Sequence, residues 1–133
     1  MAREQQKDLA QRFIDAQGKW DTDGMSATLA GDAKHDLLPA SLGVSQKDNA
    51  GKIETTKKLA AALDNKPVNI KVLQTIQDVE QHKCAMFIEK QYDFGAVQSM
   101  FVLNFNDDNS KITHTIEFAN GEAWKKLAAK VQG

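Results

Sequence analysis

The sequence contains a single cysteine, Cys84, in 133 residues. One cysteine cannot form an internal disulfide, which is typical of proteins in a reducing compartment. The N-terminal segment also lacks the apolar stretch of a secretory signal. No apolar run approaches the roughly 18 residues that a membrane-spanning helix needs. These absences predict an intracellular, cytoplasmic protein that does not bind a membrane.

The sequence also lacks a large excess of either charge, and it lacks the common cofactor-binding motifs. The 17 basic and 18 acidic side chains leave a formal net charge of −1, so no basic excess is available to hold a nucleic acid. The sequence has no Gly-rich phosphate loop, no His-Glu-x-x-His and no Cys-x-x-Cys. Its three histidines, His35, His82 and His114, are scattered, and we expect neither a metal site nor a cofactor.

The sequence does have the composition of one folded domain, which we assign to residues 1–133. Hydrophobic residues make up 41% of it and charged residues 26%. Apolar side chains repeat with a helical period in residues 3–18, 22–30, 49–63 and 120–131. A period of two is found in residues 34–38, 68–72, 84–93, 97–105 and 111–118. This pattern predicts an α+β protein in the order α-α-β-α-β-β-β-β-α, with antiparallel hairpins among the last strands.

The strand that begins near Lys34 must end at a turn. Pro39 has no backbone donor, and Gly43 permits backbone angles that other residues avoid. Within this strand His35 and Asp36 point to opposite faces, because side chains alternate along a strand. One of the two therefore faces whatever the sheet encloses, and a slip of one residue would exchange their roles.

The third predicted helix is amphipathic. Its apolar face is formed by Ile53, Thr56, Leu59, Ala60 and Leu63. Its charged face carries Lys52, Glu54, Lys57 and Lys58. We interpret the charged face as a solvated surface and not as a binding patch.

The element order and three stretches of sequence resemble the NTF2-like (SnoaL-like) proteins, especially small fungal members of secondary-metabolite pathways. The stretches are Phe13–Ala16 followed by Trp20-Asp21, His35 with Leu38–Gly43, and Ile116–Asn120. The resemblance implies a cone, in which a curved antiparallel sheet wraps around the three helices of the N-terminal half and a C-terminal helix follows. A deep pocket would lie at the open end. The sequence differs from these relatives at Gln17 and Ser99, where they often carry tyrosine.

The resemblance to ketosteroid isomerase, a member of this family, implies which residues face the pocket. Glu117 and His35 are the candidate catalytic residues. The candidate substrate-binding residues are Ser99, Phe101, Thr115, Tyr92, Trp20 and Leu37. Trp20, between the first two helices, either packs as a wedge at their joint or stacks on a ligand. The same assignment leaves Ile112, Ile116 and Phe118 on the outer face of the sheet, an apolar surface that predicts a homodimer through the sheet.

The two candidate catalytic residues each have an alternative interpretation. Burial of Glu117 beside Phe101 would raise its pKa and suit it to proton transfer near neutral pH; alternatively, Glu117 pairs with a lysine at the rim. The imidazole of His35 titrates near 6.5 and would assist or polarise a carbonyl. Alternatively, His35 is a core histidine that is satisfied by a backbone carbonyl.

Strand 84–93 has two possible orientations. A two-residue turn at Phe94-Gly95 would direct Tyr92, Lys90 and Ile88 inward, and Tyr92 would then stabilise a developing oxyanion. A three-residue turn with Gly95 as a bulge would direct Gln91, Glu89 and Phe87 inward instead.

The family resemblance implies a cofactor-independent isomerase, cyclase or dehydratase. It would act by acid–base chemistry on a hydrophobic polyketide- or terpenoid/alkaloid-derived intermediate. The alternative is a non-catalytic module that binds a small ligand or dimerises. A cavity of a few hundred cubic ångströms with convergent polar groups would support catalysis or binding, whereas a cone filled by Phe87, Met100 and Phe101 would exclude both.

Overall fold

A computed structural model describes residues 1–132 of the chain. It contains four helices and a five-stranded sheet in the predicted order, with one added 3₁₀ turn. The helices are α1 (Ala2–Gly18), α2 (Thr22–Thr28), α3 (Asn49–Ala62) and α4 (Gly121–Gln132), and the 3₁₀ turn is Ala40–Leu42. The strands are β1 (Leu29–Leu38), β2 (Asn69–Asp78), β3 (Lys83–Tyr92), β4 (Gly95–Phe105) and β5 (Ile112–Phe118). The protein is therefore α+β, as predicted.

The strands lie in the order β1-β5-β4-β3-β2. All neighbours are antiparallel except β1 and β5, which are parallel. The sheet is therefore mixed, and the expectation of a wholly antiparallel sheet is wrong for its first strand. β1 also starts at Leu29, where helix was predicted to continue to residue 30, because Leu29 pairs with Ile112 of β5. Tertiary pairing overrides the local helical preference at this point.

One half of the cone is a solid apolar core. Leu9, Phe13 and Ile14 of α1 are almost completely buried against the inner face of the sheet. The rings of Phe13 and Phe101 meet edge to face, with centroids 5.7 Å apart at 80°, an arrangement that aromatic pairs favour. This end of the cone is closed.

A group of polar side chains, here called the amide cluster (Gln6, Gln77, His82 and Asn109), completes the closed end. Gln6 Nε2 donates to Asn109 Oδ1 at 3.0 Å, and His82 Nδ1 lies 3.2 Å from the same oxygen. Gln77 Nε2 in turn approaches Gln6 Oε1 at 3.3 Å. Asn109 holds a positive φ of 56°, which asparagine tolerates better than most residues. The buried polar groups of Gln6 and Asn109 are thus bonded to one another.

β5 contains a bulge that moves one of its residues, Ile112, to the inner face of the sheet. Leu103 pairs with Thr115 and Phe105 pairs with Ile112, so β5 holds one more residue than β4 over this stretch. Ile112 consequently faces the core and is fully buried, and its predicted place on the outer face is wrong. Glu117 and Thr115 line the interior, while half of Phe118 is exposed on the outer face.

The hairpin of β3 and β4 turns at Asp93 and Phe94, because Tyr92 pairs with Gly95. The turn lies one residue earlier than the two-residue turn that was predicted at Phe94-Gly95. The residues that face inward are nevertheless those predicted for a two-residue turn. Lys90 and Ile88 are buried on that face. Beyond β5, Asn120 Oδ1 accepts a hydrogen bond from the backbone of Ala123 at 3.1 Å, which begins α4 as predicted.

Candidate active site

The open end of the cone holds a cavity of about 460 Å³ between the inner face of the sheet, α3 and α4. Every residue predicted to form the site lines this cavity: Glu117, His35, Ser99, Phe101, Thr115, Tyr92, Trp20 and Leu37. Phe87 does not fill it, because nearly half of that side chain is exposed on the other face of the sheet. The cone is therefore hollow at this end and large enough for a small organic molecule.

Four polar residues, here called the ion cluster (Lys52, Lys90, Ser99 and Glu117), lie in the cavity wall. Lys90 Nζ is 2.8 Å from Glu117 Oε2, and both side chains are nearly buried. Ser99 Oγ donates to the same oxygen at 3.3 Å. The ammonium of Lys90 also lies 5.6 Å from the centroid of the Phe101 ring. Because Lys90 and Ser99 both bind Oε2, Oε1 of Glu117 is the oxygen left for a ligand.

The expected rise in the pKa of Glu117 is wrong. Burial does raise the pKa, but the positive charges of Lys90 and Lys52 and the hydrogen bonds from Lys90 and Ser99 outweigh it. The pKa of Glu117 therefore lies below its ordinary value of 4.5. Burial lowers the pKa of Lys90, but the charges of Glu117 and Tyr92 and the hydrogen bond to Glu117 together outweigh it, so the pKa is raised. Both groups are charged at neutral pH, so Glu117 is in its proton-accepting form, although the lowered pKa makes it a weaker base.

Lys52 was assigned to the solvated face of α3, and that assignment is wrong: Lys52 lines the cavity. Burial, with the nearby charges of Lys90 and Lys47, lowers its pKa although Glu117 acts in the opposite direction. The inward position of Lys52 could have been predicted from its spacing along the helix. Lys52 stands four and eight residues before Thr56 and Ala60, the two buried residues of α3, and so lies on their stripe.

His35 is held by two side chains. Its Nδ1 is 2.7 Å from Thr115 Oγ1, and its Nε2 is 2.9 Å from Asn49 Oδ1. The amide nitrogen of Asn49 donates to the carbonyl of Ala30 at 2.8 Å, which directs its oxygen toward the ring. His35 Nε2 therefore carries the proton, and Nδ1 accepts from the Thr115 hydroxyl. Burial lowers the pKa of His35, against the hydrogen bond to Asn49, and favours this neutral form.

Tyr92 and Trp20 close two further sides of the cavity. Burial raises the pKa of Tyr92, although Lys90 opposes the rise, so its hydroxyl stays protonated and can donate a hydrogen bond. The indole Nε1 of Trp20 donates to the carbonyl of Lys66 at 2.7 Å, which fixes the ring at the joint after α1. Trp20 is thus anchored at the joint, and its side chain also lines the cavity.

Gln17 is a second residue of the wall that was not among the predicted site residues. Its side chain is about nine-tenths buried, and its Oε1 has no hydrogen-bond partner among residues 1–132. Unpaired buried oxygens are uncommon in folded proteins. The structure therefore leaves the side-chain oxygen of Gln17 as an unsatisfied acceptor within the wall.

Asp36 turns its carboxylate away from the ion cluster. Its Oδ2 lies 2.6 Å from His114 Nε2 and 3.3 Å from Gln46 Nε2. Within residues 1–132 no group of three or more His, Cys, Asp or Glu side chains is arranged to hold a metal ion. No helix in that range has the length and apolar character needed to cross a membrane.

Comparison with known proteins identifies the fold. Neither a family model nor any curated protein matches the sequence. BvnE pinacolase from Penicillium brevicompactum superposes with a TM-score of 0.85 at 24% identity, covering 98% of this chain and 96% of that one. PrhC from Penicillium brasilianum has a TM-score of 0.83 at 15% identity, over 99% and 91% of the two chains.

A bacterial protein is also similar. A candidate SnoaL-like polyketide cyclase from Shewanella putrefaciens has a TM-score of 0.74 at 11% identity, over 94% of this chain and 86% of that one. The chain therefore has the NTF2-like (SnoaL-like) fold, as the sequence predicted. Identities this low establish the fold, and the activity has to be argued from the cavity.

Proposed function

We propose that the protein is a cofactor-independent enzyme that isomerises, cyclises or dehydrates a hydrophobic small molecule by acid–base chemistry. The substrate class would be a polyketide- or terpenoid/alkaloid-derived intermediate of fungal specialised metabolism. The observation that carries the proposal is an ionised Glu117 whose Oε1 is free in an otherwise largely apolar cavity. The similarity to BvnE pinacolase and PrhC, both from Penicillium species, supports this class of substrate.

In this mechanism Glu117 accepts a proton from carbon or oxygen of the substrate. Lys90 and Ser99 hold its other oxygen in place, so the carboxylate needs little rearrangement as the reaction proceeds. The Tyr92 hydroxyl donates to a substrate carbonyl. His35 acts through Thr115, because both of its ring nitrogens are bonded within the protein. The largely apolar wall of the cavity strengthens each of these contacts, because it screens charge less than bulk water does.

Proton abstraction by Glu117 can be measured without the natural substrate. The probe is 5-nitrobenzisoxazole, an apolar ring that releases a coloured phenolate when a base removes its carbon-bound proton. We expect Glu117→Gln to lower the protein-catalysed rate about 100-fold, the usual contribution of a general base. Glu89→Gln is the matched control, because Glu89 lies on the same sheet but does not line the cavity. Equal rates for the wild type and Glu117→Gln, including no catalysis by either, would contradict the role of Glu117.

One observation favours a second candidate function, a binding module without catalysis. The ion pair with Lys90 lowers the pKa of Glu117 and so weakens it as a base. A protein that binds small hydrophobic molecules but leaves the rate of the probe reaction unchanged would fit this candidate.

The proposal includes a homodimer through the outer face of the sheet and a cytoplasmic location. Phe87, Met100 and Phe118 form one row across β3, β4 and β5, and Phe87 and Phe118 are each about half exposed. A second copy would cover this apolar row. We expect Phe87→Lys to convert a dimer into a monomer in analytical ultracentrifugation. The cytoplasmic location is supported by the single cysteine, which cannot form an internal disulfide.

A further inference from the structure

The charges of the cavity wall are not balanced. Glu117 is bound to Lys90 at 2.8 Å. Lys52 has no carboxylate within 4.0 Å among residues 1–132. A cation in a largely apolar cavity costs free energy unless an anion approaches it, and the nearby Lys90 and Lys47 increase that cost. In the free protein, Lys52 therefore has no anion to pair with among residues 1–132.

Lys52 and Glu117 both line the same cavity. The two side chains are near enough for each to affect the pKa of the other, yet they form no ion pair. A group bound between them would meet a carboxylate on one side and a cation on the other. When Glu117 takes a proton from the carbon next to a carbonyl, the C–H electron pair forms a C=C bond and the carbonyl π pair moves to oxygen. The ammonium of Lys52 then faces the enolate oxygen.

The rest of the wall defines the other parts of such a ligand. Trp20, Phe101 and Trp124 supply aromatic surface for a ring system. These features select a ring compound with few polar groups.

We infer that the cavity binds apolar ring compounds through an acidic oxygen, present as a carboxylate, phenolate or enolate, and that Lys52 is the cation that binds this oxygen. The inference rests on the proposed function to the extent that an enolate formed by Glu117 is one such ligand. Binding of a stable carboxylate requires no turnover and so tests the role of Lys52 separately.

The experiment compares 2-naphthoate with 2-naphthamide by titration calorimetry. The two probes have the same ring system and similar size, but only the first is an anion at neutral pH. We expect the wild type to bind 2-naphthoate at least about 10-fold more tightly, as one charge-assisted hydrogen bond allows. Lys52→Met should abolish this preference and Lys52→Arg should keep most of it. Lys57→Met is the control, because Lys57 is exposed on the same helix.

A second readout counts protons. A bound anion raises the pKa of Lys52 above its lowered value, so at alkaline pH the binding of 2-naphthoate should take up protons. The other ionisable groups that line this space are Lys47 before α3, Lys58 on α3, Lys90 and Tyr92 on β3, Glu117 on β5, and His35 and Asp36 on β1. Lys52→Met keeps all of them, and the loss of proton uptake in this variant would assign the protons to Lys52.

The possible outcomes separate the two proposals. Equal affinity for both probes overturns the inference and leaves the role of Glu117 untouched. A preference for 2-naphthoate that survives in Lys52→Met assigns the anion to another cation and also overturns it. If the folded protein binds neither probe, the ligand cavity itself is contradicted, and the proposed function with it.

Discussion

Two polar clusters lie at opposite ends of the cone, and they differ in completeness. The amide side chains of the amide cluster carry no charge. Gln6 and His82 both bond to Asn109, and Gln77 bonds to Gln6. The ion cluster contains three charged groups, and it leaves Lys52 without a carboxylate and Oε1 of Glu117 without a donor. A polar group that is satisfied internally serves the fold, whereas one that is left open is suited to a ligand.

The largest effect should come from breaking the ion pair of the open end. Lys90→Met leaves Glu117 nearly buried with Lys52 as its only neighbouring cation. We expect the free energy of unfolding to fall by about 3 kcal/mol, as when one member of a buried pair is removed. Urea denaturation followed by tryptophan fluorescence would measure the change.

The double variant Lys90→Met/Glu117→Leu is the control for this prediction. Replacing both charges with apolar groups should restore most of the stability while leaving no base for the probe reaction. If the single variant is as stable as the wild type, the pair is not buried in solution as the structure describes.

A smaller loss should follow from Asn109→Ala at the closed end. The substitution removes the acceptor of Gln6 and places alanine at a φ of 56°. We expect a destabilisation of about 2 kcal/mol from the lost hydrogen bonds and the strained backbone. Asn109→Gly removes the same side chain without the strain and should lose less. Catalysis and probe binding should be unchanged in both variants, and a loss of binding would refute the separation of the two clusters.

The smallest effect should be a difference in acid sensitivity. The pKa of Glu117 in the folded protein is below 4.5. Its ionised form therefore stabilises the fold at any pH above the pKa that this carboxyl has in the unfolded chain. This contribution is lost as the pH falls through the folded pKa. The stability of Glu117→Gln should therefore fall less steeply below about pH 4.5 than that of the wild type. An identical slope in thermal unfolding across this range would count against the lowered pKa.

The fold was largely predictable from the sequence, because local signals agreed with the final arrangement. Asp48 caps α3, and its carboxylate accepts a hydrogen bond from the backbone nitrogen of Gly51 at 2.8 Å, as is typical of an aspartate just before a helix. The parts that could not be predicted depend on contacts between distant segments. The early start of β1 at Leu29 and the inward position of Ile112 are both fixed by pairing with another strand.

The predicted site residues line the cavity, but the charges around them were not predicted. Alternation along β5 put Glu117 and Thr115 on one face, and the resemblance to ketosteroid isomerase implied that this face is the interior. The lowered pKa of Glu117 depends on Lys90, whose direction was ambiguous because two hairpin turns were possible. Lys52 was missed because a lysine on an amphipathic helix is usually solvated, even though its spacing from Thr56 pointed inward.

The parallel pairing of β1 with β5 has a consequence for synthesis on the ribosome. His35 finds its partner Thr115 80 positions later, so nearly the whole polypeptide must emerge before the ring is held. Until then β1 has no strand of the sheet to pair with, although α1 can already pack against β2 and β3. Contacts this far apart slow folding and lengthen exposure to aggregation. The unpaired β1 strand is therefore most open to aggregation in the interval before β5 appears.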